Sequence, residues 1–295
     1  LAMMLRVTVP PIRCCWRRVR DMTDAQLRPA ALAFDGIATQ FDSRFREWQS
    51  VAAQRRAVRR ALIAAWPAGG HILEMGGGTG EDALWLARQG FRVTLTDVSP
   101  RMVAQADAKL RPLGSKAERV AAEEMEDFAD RHFALGGEKF DGVFSNFAPL
   151  NCVEDLAPVG RALARLMRPG SSALLVVFGI ASPGEILVES LRGRPHQALR
   201  RLHRGAVPAR VGDRHFTVTY HRGAVLGQAM QPWFTLAERR GIGIFVPPSA
   251  AEPWISRHPH LLTLLENLDR LAARPLAALG DHILYHFTRT ERPAP

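Results

Sequence analysis

The chain has 295 residues, of which 47% are apolar and 23% are charged, a composition that suits one large or two modest globular domains. This balance excludes a disordered or fibrous chain. Three cysteines are too few for a disulfide framework or a four-ligand zinc site, and we expect a reducing, cytoplasmic setting. No apolar run reaches the roughly 18 residues that a transmembrane helix needs.

The formal net charge of +10 by itself suggests a nucleic-acid or anionic-membrane partner. The excess is confined to residues 1–21, with a net charge of +4, and residues 190–222, with a net charge of +7. The remainder of the chain sums to about −1, so its body is not basic. Nucleic acid is therefore a disfavoured partner.

The first segment in chain order, residues 1–21, is predicted to be a disordered or non-native tail, and Met22 has the context of a natural start. A targeting peptide is the alternative, because the segment is rich in arginine and poor in acids, but it has no apolar central region. Residues 22–70 are predicted to form an N-terminal helical cap, since apolar residues recur at helical spacing from Phe34 to Ile63.

From residue 71 the pattern alternates between strands and helices joined by short connections. Strands are predicted at residues 71–75, 91–96, 119–122, 140–145 and 173–178, and helices at residues 81–89, 100–110 and 156–167. Such repeated units specify a parallel sheet with helices on both faces. Residues 71–182 are predicted to be the ligand-binding core.

The last part of the chain is predicted to complete that sheet. Residues 223–295 contain two further strand patterns, at 233–245 and 281–288, with a helix at 259–273 between them. Residues 183–222 are an arginine-rich insertion. The predicted fold is a doubly wound, Rossmann-like α/β fold with a seven-stranded, mostly parallel sheet, the helical cap, and a lid inserted between strands five and six.

The most informative segment is a strand that leads through a glycine-rich turn into a helix, between Ile72 and Asp82. Such a turn lets the backbone approach a ligand and points helix N–H groups at it. Gly78-x-Gly80-x-x-Ala83 is a near match to the dinucleotide fingerprint, so an NAD(P)-dependent oxidoreductase is one alternative. Glu74 argues against it, because a carboxylate there repels a pyrophosphate but suits a ligand with ammonium and sulfonium groups.

Glu74-x-Gly76-x-Gly78-x-Gly80 resembles motif I of class I S-adenosylmethionine-dependent methyltransferases. Asp97, at the end of the second predicted strand, stands where that family keeps the acid that binds both ribose hydroxyls. Three further segments agree in order: residues 123–126 with the adenine-binding segment, residues 140–151 with motif IV, and residues 166–170 with the turn before strand five. The family's Asn-Pro-Pro-Tyr signature is absent, which argues against an exocyclic amine of DNA as acceptor.

The resemblance implies S-adenosylmethionine as the cofactor and a site at the carboxyl ends of the parallel strands. The cofactor-binding residues it implies are Glu74, Gly76, Gly77, Gly78, Gly80, Asp97, Val98, Met102, Glu124, Met125, Ser145 and Asn146. Candidates for the acceptor pocket are Phe34, Phe41, Phe147 and Asn151. Weak catalytic candidates are His215, His221 and Tyr220, and for each histidine a surface role is the alternative. No metal is implied.

The implied reaction is direct methyl transfer to the oxygen or nitrogen of a small molecule. The arginine-rich insertion has three interpretations: a solvated helix pair, a lid that pairs with the acceptor's carboxylate or phosphate, or a docking surface for RNA or an anionic membrane. A methyltransferase acting on RNA or on membrane lipids is therefore a further alternative. Gly193 and Pro195 argue against one continuous interfacial helix in this insertion. The sequence leaves the oligomeric state open.

Overall fold

The computed structural model describes residues 28–295, so the predictions for residues 1–21 lie outside the described residues. The helical cap consists of two helices, α1 (Pro29–Arg46) and α2 (Gln49–Ala65), with a break at Glu47 and Trp48. Pro29 suits the first turn of α1, because its missing N–H is one that the helix start leaves unbonded.

A seven-stranded sheet forms the centre of the molecule. Its strands are β1 (His71–Met75), β2 (Arg92–Asp97), β3 (Lys116–Arg119), β4 (Phe140–Ser145), β5 (Met167–Phe178), β8 (Phe234–Ile242) and β9 (His282–Arg289). The spatial order is β3-β2-β1-β4-β5-β9-β8, and β9 runs antiparallel to both of its neighbours. The predicted doubly wound fold is confirmed.

Helices cover both faces of this sheet. They are α3 (Glu81–Arg88), α4 (Pro100–Leu110), α5 (Met125–Ala134), α6 (Ala157–Leu166), α9 (Gly223–Met230) and α10 (Pro259–Ala272). Successive residues of β1 face opposite cores: Ile72 packs with Val93 and Leu86, and Leu73 packs with Phe128 and Val143. Burial on both faces explains why residues 173–177 of β5 are all apolar.

The third strand was predicted at residues 119–122, and that prediction is wrong. β3 spans residues 116–119 at the edge of the sheet, where its only fully buried side chain is Ala117. Edge strands tolerate charged residues, so the apolar Val120–Ala122 segment that suggested a strand is instead the loop that follows it. Helix α5 was not predicted either, because its acidic start was assigned to the adenine-binding segment.

The insertion contains two short helices and a hairpin. These are α7 (Pro183–Leu191), α8 (Pro195–Ala198), β6 (Ala206–Val211) and β7 (Arg214–Thr219). Helix α7 ends before Gly193, in agreement with the predicted interruption. Phe216 and Val218 point to the same side of the hairpin and pack against α1, where the Phe34 and Phe216 ring centroids lie 5.6 Å apart.

His71 at the start of β1 predicts a pH-dependent stability. Burial, with Arg92 nearby, lowers the pKa of His71 from 6.5 to about 4. The unfolded chain therefore takes up this proton first, and the free energy of unfolding falls as the pH drops from about 6.5 towards 4. The urea midpoint should decrease between pH 7.5 and pH 5, and by a smaller amount in His71→Gln. Equal decreases in both proteins would contradict this assignment.

Candidate active site

A cavity of about 500 Å³ lies at the carboxyl ends of the parallel strands, within the range of about 300–1,000 Å³ typical of small-molecule sites. One side is formed by the segments that follow β1, β2, β3 and β4, and the other by α1 and the inserted hairpin. The strand order reverses between β1 and β4, which is where ligands bind in open α/β sheets.

The glycine turn after β1 shapes one end of the cavity. Gly76, Gly78 and Gly80 have φ angles of +66°, +56° and +81°, which favour glycine. A Cβ on Gly76 would lie 2.3 Å from Cβ of Pro149, whereas a Cβ on Gly78 would meet nothing within 4 Å. Gly76 and Gly78 line the cavity. The turn thus exposes backbone without side chains to the cavity at Gly76 and Gly78.

The other two predicted glycines of this turn do not line the cavity. A Cβ on Gly77 would lie 2.4 Å from Cδ1 of Leu95, and one on Gly80 would lie 3.0 Å from Cβ of Ala106. These glycines are required for packing of the turn against β2 and α4. Their place in the predicted binding set is corrected accordingly.

Asp97 lies in the cavity wall and is held by two backbone donors. Its Oδ2 accepts a hydrogen bond from the N–H of Gly78 at 2.8 Å, and its Oδ1 accepts one from the N–H of Ser99 at 2.9 Å. Burial raises the pKa of Asp97, and the backbone N–H groups of Ser99, Gly78 and Val98 act in the opposite direction. Each oxygen keeps a second acceptor position, which suits the two donors of a cis-diol. Val98 and Met102, beside Asp97, also line the cavity.

Glu74 lies behind the residues that line the cavity, and its Oε2 is buried without a hydrogen-bond partner among the described residues, so its predicted contact with the cofactor stays a prediction. Its side chain is buried, and its carboxyl carbon lies 2.7 Å from where a Cβ on Gly77 would be. Burial and the neighbouring Asp82 raise the pKa of Glu74 well above its usual range, and the N–H of Ala83 donates to it. Glu74 therefore supports the glycine turn and the start of α3 from beneath.

The predicted adenine segment is displaced by one or two residues. Ala122 and Glu123 line the cavity, whereas Met125 packs in the hydrophobic core and Glu124 accepts from the N–H of Ala121 at 3.3 Å. Arg28 at the start of α1 pairs with Glu123 at 2.9 Å. The short 3₁₀ turn over residues 122–124 causes this shift.

The loop after β4 brings Ser145, Asn146 and Phe147 into the cavity wall, as predicted. The Ser145 hydroxyl is buried and has no hydrogen-bond partner among the described residues. Phe147 and Ala148 have φ angles of +56° and +62°. Each such conformation of a non-glycine residue costs about 1–3 kcal/mol of conformational free energy, so the surrounding contacts have to hold it in place.

Asp82 holds that strained loop in place. The Nδ2 of Asn146 donates to Oδ2 of Asp82 at 2.8 Å, and Arg59 pairs with Oδ1 of Asp82 at 2.7 Å. The Arg55 guanidinium lies 5.0 Å from the Phe147 ring centroid. Sequence reasoning missed Asp82, because its partners come from α2 and the loop after β4, which meet only in the folded protein.

Helix α1 covers the cavity and forms hydrogen bonds to the loops that follow β1 and β2. Asp35 accepts hydrogen bonds from Oγ of Ser99 and the N–H of Arg101, each at 2.8 Å. Asp42 bonds to the hydroxyl of Thr79 in the glycine turn and pairs with Lys109 at 2.6 Å. Phe34 and Phe41 of the same helix line the cavity. The predicted cap is therefore tied to the loops that surround the ligand space.

The hydrogen bonds of Asp35 lead to a prediction for Asp35→Ala. The loss of two hydrogen bonds to a charged group should weaken the docking of α1 by about 1.5–3 kcal/mol. Hydrogen exchange of the α1 amides should become faster, while exchange in β1 and β4 stays unchanged. Asp130→Ala, on the outer surface of α5, is the matched control. Unchanged exchange in α1 of the Asp35 variant would show that this helix is held by its apolar face alone.

Of the catalytic candidates, only Tyr220 lines the cavity. Burial raises the pKa of Tyr220. His215 is exposed on β7, and His221 is buried with its Nε2 bonded to the carbonyl of Val153 at 2.8 Å. Neither histidine is in the cavity wall, and both are removed from the candidate set.

Asn151 was predicted in the acceptor pocket, but it has a structural position. Its Nδ2 donates to the carbonyl of Thr219 at 2.6 Å, and its Oδ1 accepts from the N–H of Phe178 at 3.1 Å. Asn151 thus ties the end of the hairpin to β5. Several cavity residues were not predicted from the sequence: Arg28, Thr96, Leu150, Cys152, Val153, Phe178, Arg200, Phe216 and Val218.

Comparison with known proteins gives the family. Residues 72–170 match the family model described as "Methyltransferase domain". This segment is a methyltransferase domain. The chain therefore carries a class I S-adenosylmethionine-dependent methyltransferase domain with S-adenosylmethionine as its cofactor, as the motifs predicted.

One curated relative is an S-adenosyl-L-methionine-dependent Diels-Alderase, iccD, from Talaromyces variabilis. It is 34% identical over 115 residues, which are 38% of this chain and 37% of the relative. The chain thus matches little more than a third of the relative's length.

Two solved structures share the fold. A TehB-like methyltransferase from Corynebacterium glutamicum has a TM-score of 0.52 at 14% identity, with coverage of 86% of this chain and 99% of its own. The CcbJ methyltransferase from Streptomyces caelestis has a TM-score of 0.51 at 15% identity, with coverage of 81% and 89%.

The cavity fits this cofactor. The open backbone at Gly78, the acceptor positions of Asp97 and the unpartnered Ser145 hydroxyl are polar groups that such a ligand can satisfy. Among residues 28–295, no helix is both long and apolar enough to cross a bilayer. Over the same range, no three His, Cys, Asp or Glu side chains are grouped to hold a metal ion.

Proposed function

We propose that this protein transfers the methyl group of S-adenosylmethionine to the oxygen or nitrogen of a small, largely apolar molecule. The observation that carries the proposal is that one cavity joins the cofactor-side loops to a wall of aromatic and aliphatic side chains. A nucleophile bound against that wall shares the ligand space with the cofactor. The cytoplasmic setting inferred from the cysteine content belongs to the same hypothesis.

In this proposal the protein contributes mainly binding and alignment. The cofactor supplies an electrophilic methyl group on a sulfonium leaving group. Asp97 would hold the ribose hydroxyls, Ala122 and Glu123 would hold the adenine, and the backbone at Gly78 would leave room for the amino-acid end. The apolar wall excludes water and orients the acceptor, and alignment of this kind supplies a large part of the acceleration of a bimolecular reaction.

The alternative of an RNA- or lipid-directed enzyme has less support. Several arginines in residues 190–222 pair with carboxylates: Arg192 and Arg194 with Glu189, Arg200 with Glu185, and Arg201 with Glu185 and Asp281. Such pairing reduces the positive charge that this insertion offers to a phosphate backbone or to an anionic membrane.

A pericyclic ring closure in the same cavity is a second candidate. It is supported by the Diels-Alderase activity of the relative iccD, and by an apolar cavity wall that no histidine among the described residues joins. In that case the cofactor is bound but not consumed. The two candidates differ in whether S-adenosylhomocysteine is formed.

Two measurements test the proposed function. Calorimetric titration of the full chain with S-adenosylhomocysteine should give one site per chain, and titration with NADH should give none. Incubation with S-adenosylmethionine and a panel of phenols and aromatic amines should yield S-adenosylhomocysteine together with a product that carries one additional methyl group. Binding of NADH in place of S-adenosylhomocysteine would overturn the proposal, whereas an unmethylated, cyclised product with the cofactor intact would favour the second candidate.

A further inference from the structure

The part of the cavity away from the cofactor-side loops, called the acceptor wall below, consists of Phe34, Cys152, Phe178, Arg200, Phe216 and Tyr220. Two of these side chains can release a proton, and neither is suited to act as a base. Burial raises the pKa of Cys152 to about 12 and also raises the pKa of Tyr220. At neutral pH both groups keep their protons, so both are donors rather than proton acceptors.

No histidine supplies the missing base within the described range. His215 is exposed, His221 bonds to Val153, and His282 lies beside Asp281 with its Nδ1 3.1 Å from that carboxylate. Residues 1–27 contain no histidine, lysine, tyrosine or glutamate. Apart from the carboxylates of Asp97 and Glu123 on the cofactor side, the described cavity wall thus offers no proton acceptor, which favours an acceptor that enters with its nucleophilic atom already unprotonated.

Arg200 favours a negatively charged nucleophile over a neutral amine. Among the described residues it is the one cation of the acceptor wall, and its Nε is buried without a hydrogen-bond partner. Its Nη2 pairs with Glu185 at 2.8 Å, which fixes the guanidinium in place. The positive charges of Arg200 and Arg201 lower the pKa of Tyr220, in opposition to the effect of burial, so their electrostatic field reaches its hydroxyl.

Resting on the proposed function, we propose that the acceptor is an apolar ring compound that binds as a preformed oxyanion, recognised by Arg200 and the Tyr220 hydroxyl. In the transfer step, a lone pair of the oxyanion forms the bond to the methyl carbon as the carbon–sulfur bond breaks, and that bonding pair stays on sulfur. No proton moves, and the opposite charges of the two reactants cancel. The apolar wall strengthens the attraction between these charges, because it lowers the local dielectric constant.

A pair of probes that differ only in charge tests this proposal. The full chain saturated with S-adenosylhomocysteine is titrated with 2-naphthoate and, separately, with 2-naphthamide, which have the same ring system. We expect 2-naphthoate to bind at least about tenfold more tightly. Arg200→Ala should abolish this preference and Arg200→Lys should keep part of it. Arg194→Ala is the matched control, since Arg194 lies on the same insertion with its side chain 62% exposed.

The outcomes separate this inference from the proposed function. Equal affinity for both probes, tighter binding of the amide, or no binding of either overturns the oxyanion proposal. So does an undiminished preference in a folded Arg200→Ala protein. If that variant fails to fold, Tyr220→Phe provides the second measurement, and an unchanged preference there removes Tyr220 from the recognition. Failure to bind S-adenosylhomocysteine at all would count against the proposed function itself.

Discussion

Replacing Asp97 with alanine is expected to weaken S-adenosylhomocysteine binding by about 2–4 kcal/mol, or roughly 30- to 1,000-fold. Two losses combine in this variant. The ribose hydroxyls lose their charged acceptor, and the N–H groups of Gly78 and Ser99 lose the carboxylate that orders the glycine turn around the ligand. Calorimetric titration with S-adenosylhomocysteine measures the effect directly.

Two further variants show whether the effect belongs to the carboxylate. Asp97→Asn keeps the shape of the side chain and one acceptor oxygen. We therefore expect its affinity for S-adenosylhomocysteine to lie between those of the wild type and Asp97→Ala. Asp130→Ala removes an exposed carboxylate on α5 that pairs with Arg165, and it should bind as the wild type does. Unchanged affinity in Asp97→Ala would place the ribose elsewhere in the cavity.

Replacing Arg201 with methionine is expected to lower the free energy of unfolding by about 3–5 kcal/mol, because it removes the buried cation that joins the carboxylates of Glu185 and Asp281. Arg201 is 5% exposed and its Nη2 bonds to both Glu185 and Asp281. Its Nη1 donates to the carbonyls of Gly179 and Asp281 at 3.0 and 2.6 Å. Proximity to Arg201 and His282 keeps the pKa of Asp281 well below its usual range.

Denaturant unfolding at neutral pH tests this expectation. Arg192→Ala is the matched control, because Arg192 pairs with Glu189 at the surface and such exposed pairs contribute about 0–1 kcal/mol. Adding Glu185→Gln to Arg201→Met should restore part of the loss, since it removes one of the two buried negative charges between which Arg201 lies. A loss in Arg201→Met no larger than in the control would show that water reaches this cluster.

Local patterns explain how much of the fold was predictable. Short segments in which apolar side chains recur before a glycine, a helix cap or a loop locate β1, β2 and β4, and Ser99 caps α4 as its position before Pro100 suggests. The glycine turn and Asp97 were found because they directly follow strands whose carboxyl ends meet. At β3 this reasoning failed, because an edge strand does not need an apolar pattern.

The acceptor wall was largely beyond prediction, for a physical reason. Phe178 ends β5, Arg200 follows α8 and Phe216 lies in the hairpin, so no short segment contains two of them. Their proximity results from the insertion folding back onto α1. The surroundings of Glu74 were hidden for a related reason: its spacing from Gly76 is visible in the sequence, but the side of the turn to which its carboxyl points depends on burial.

Helix α1 has a consequence for turnover. The same 18-residue element carries Phe34, which packs on the hairpin, and Asp35 and Asp42, which hold the loops beside the cofactor. One helix thus covers the space for both ligands, so neither ligand can enter or leave without movement of α1. Displacement of α1 should therefore limit the rate of product release. S-adenosylhomocysteine and the methylated compound should dissociate during the same displacement.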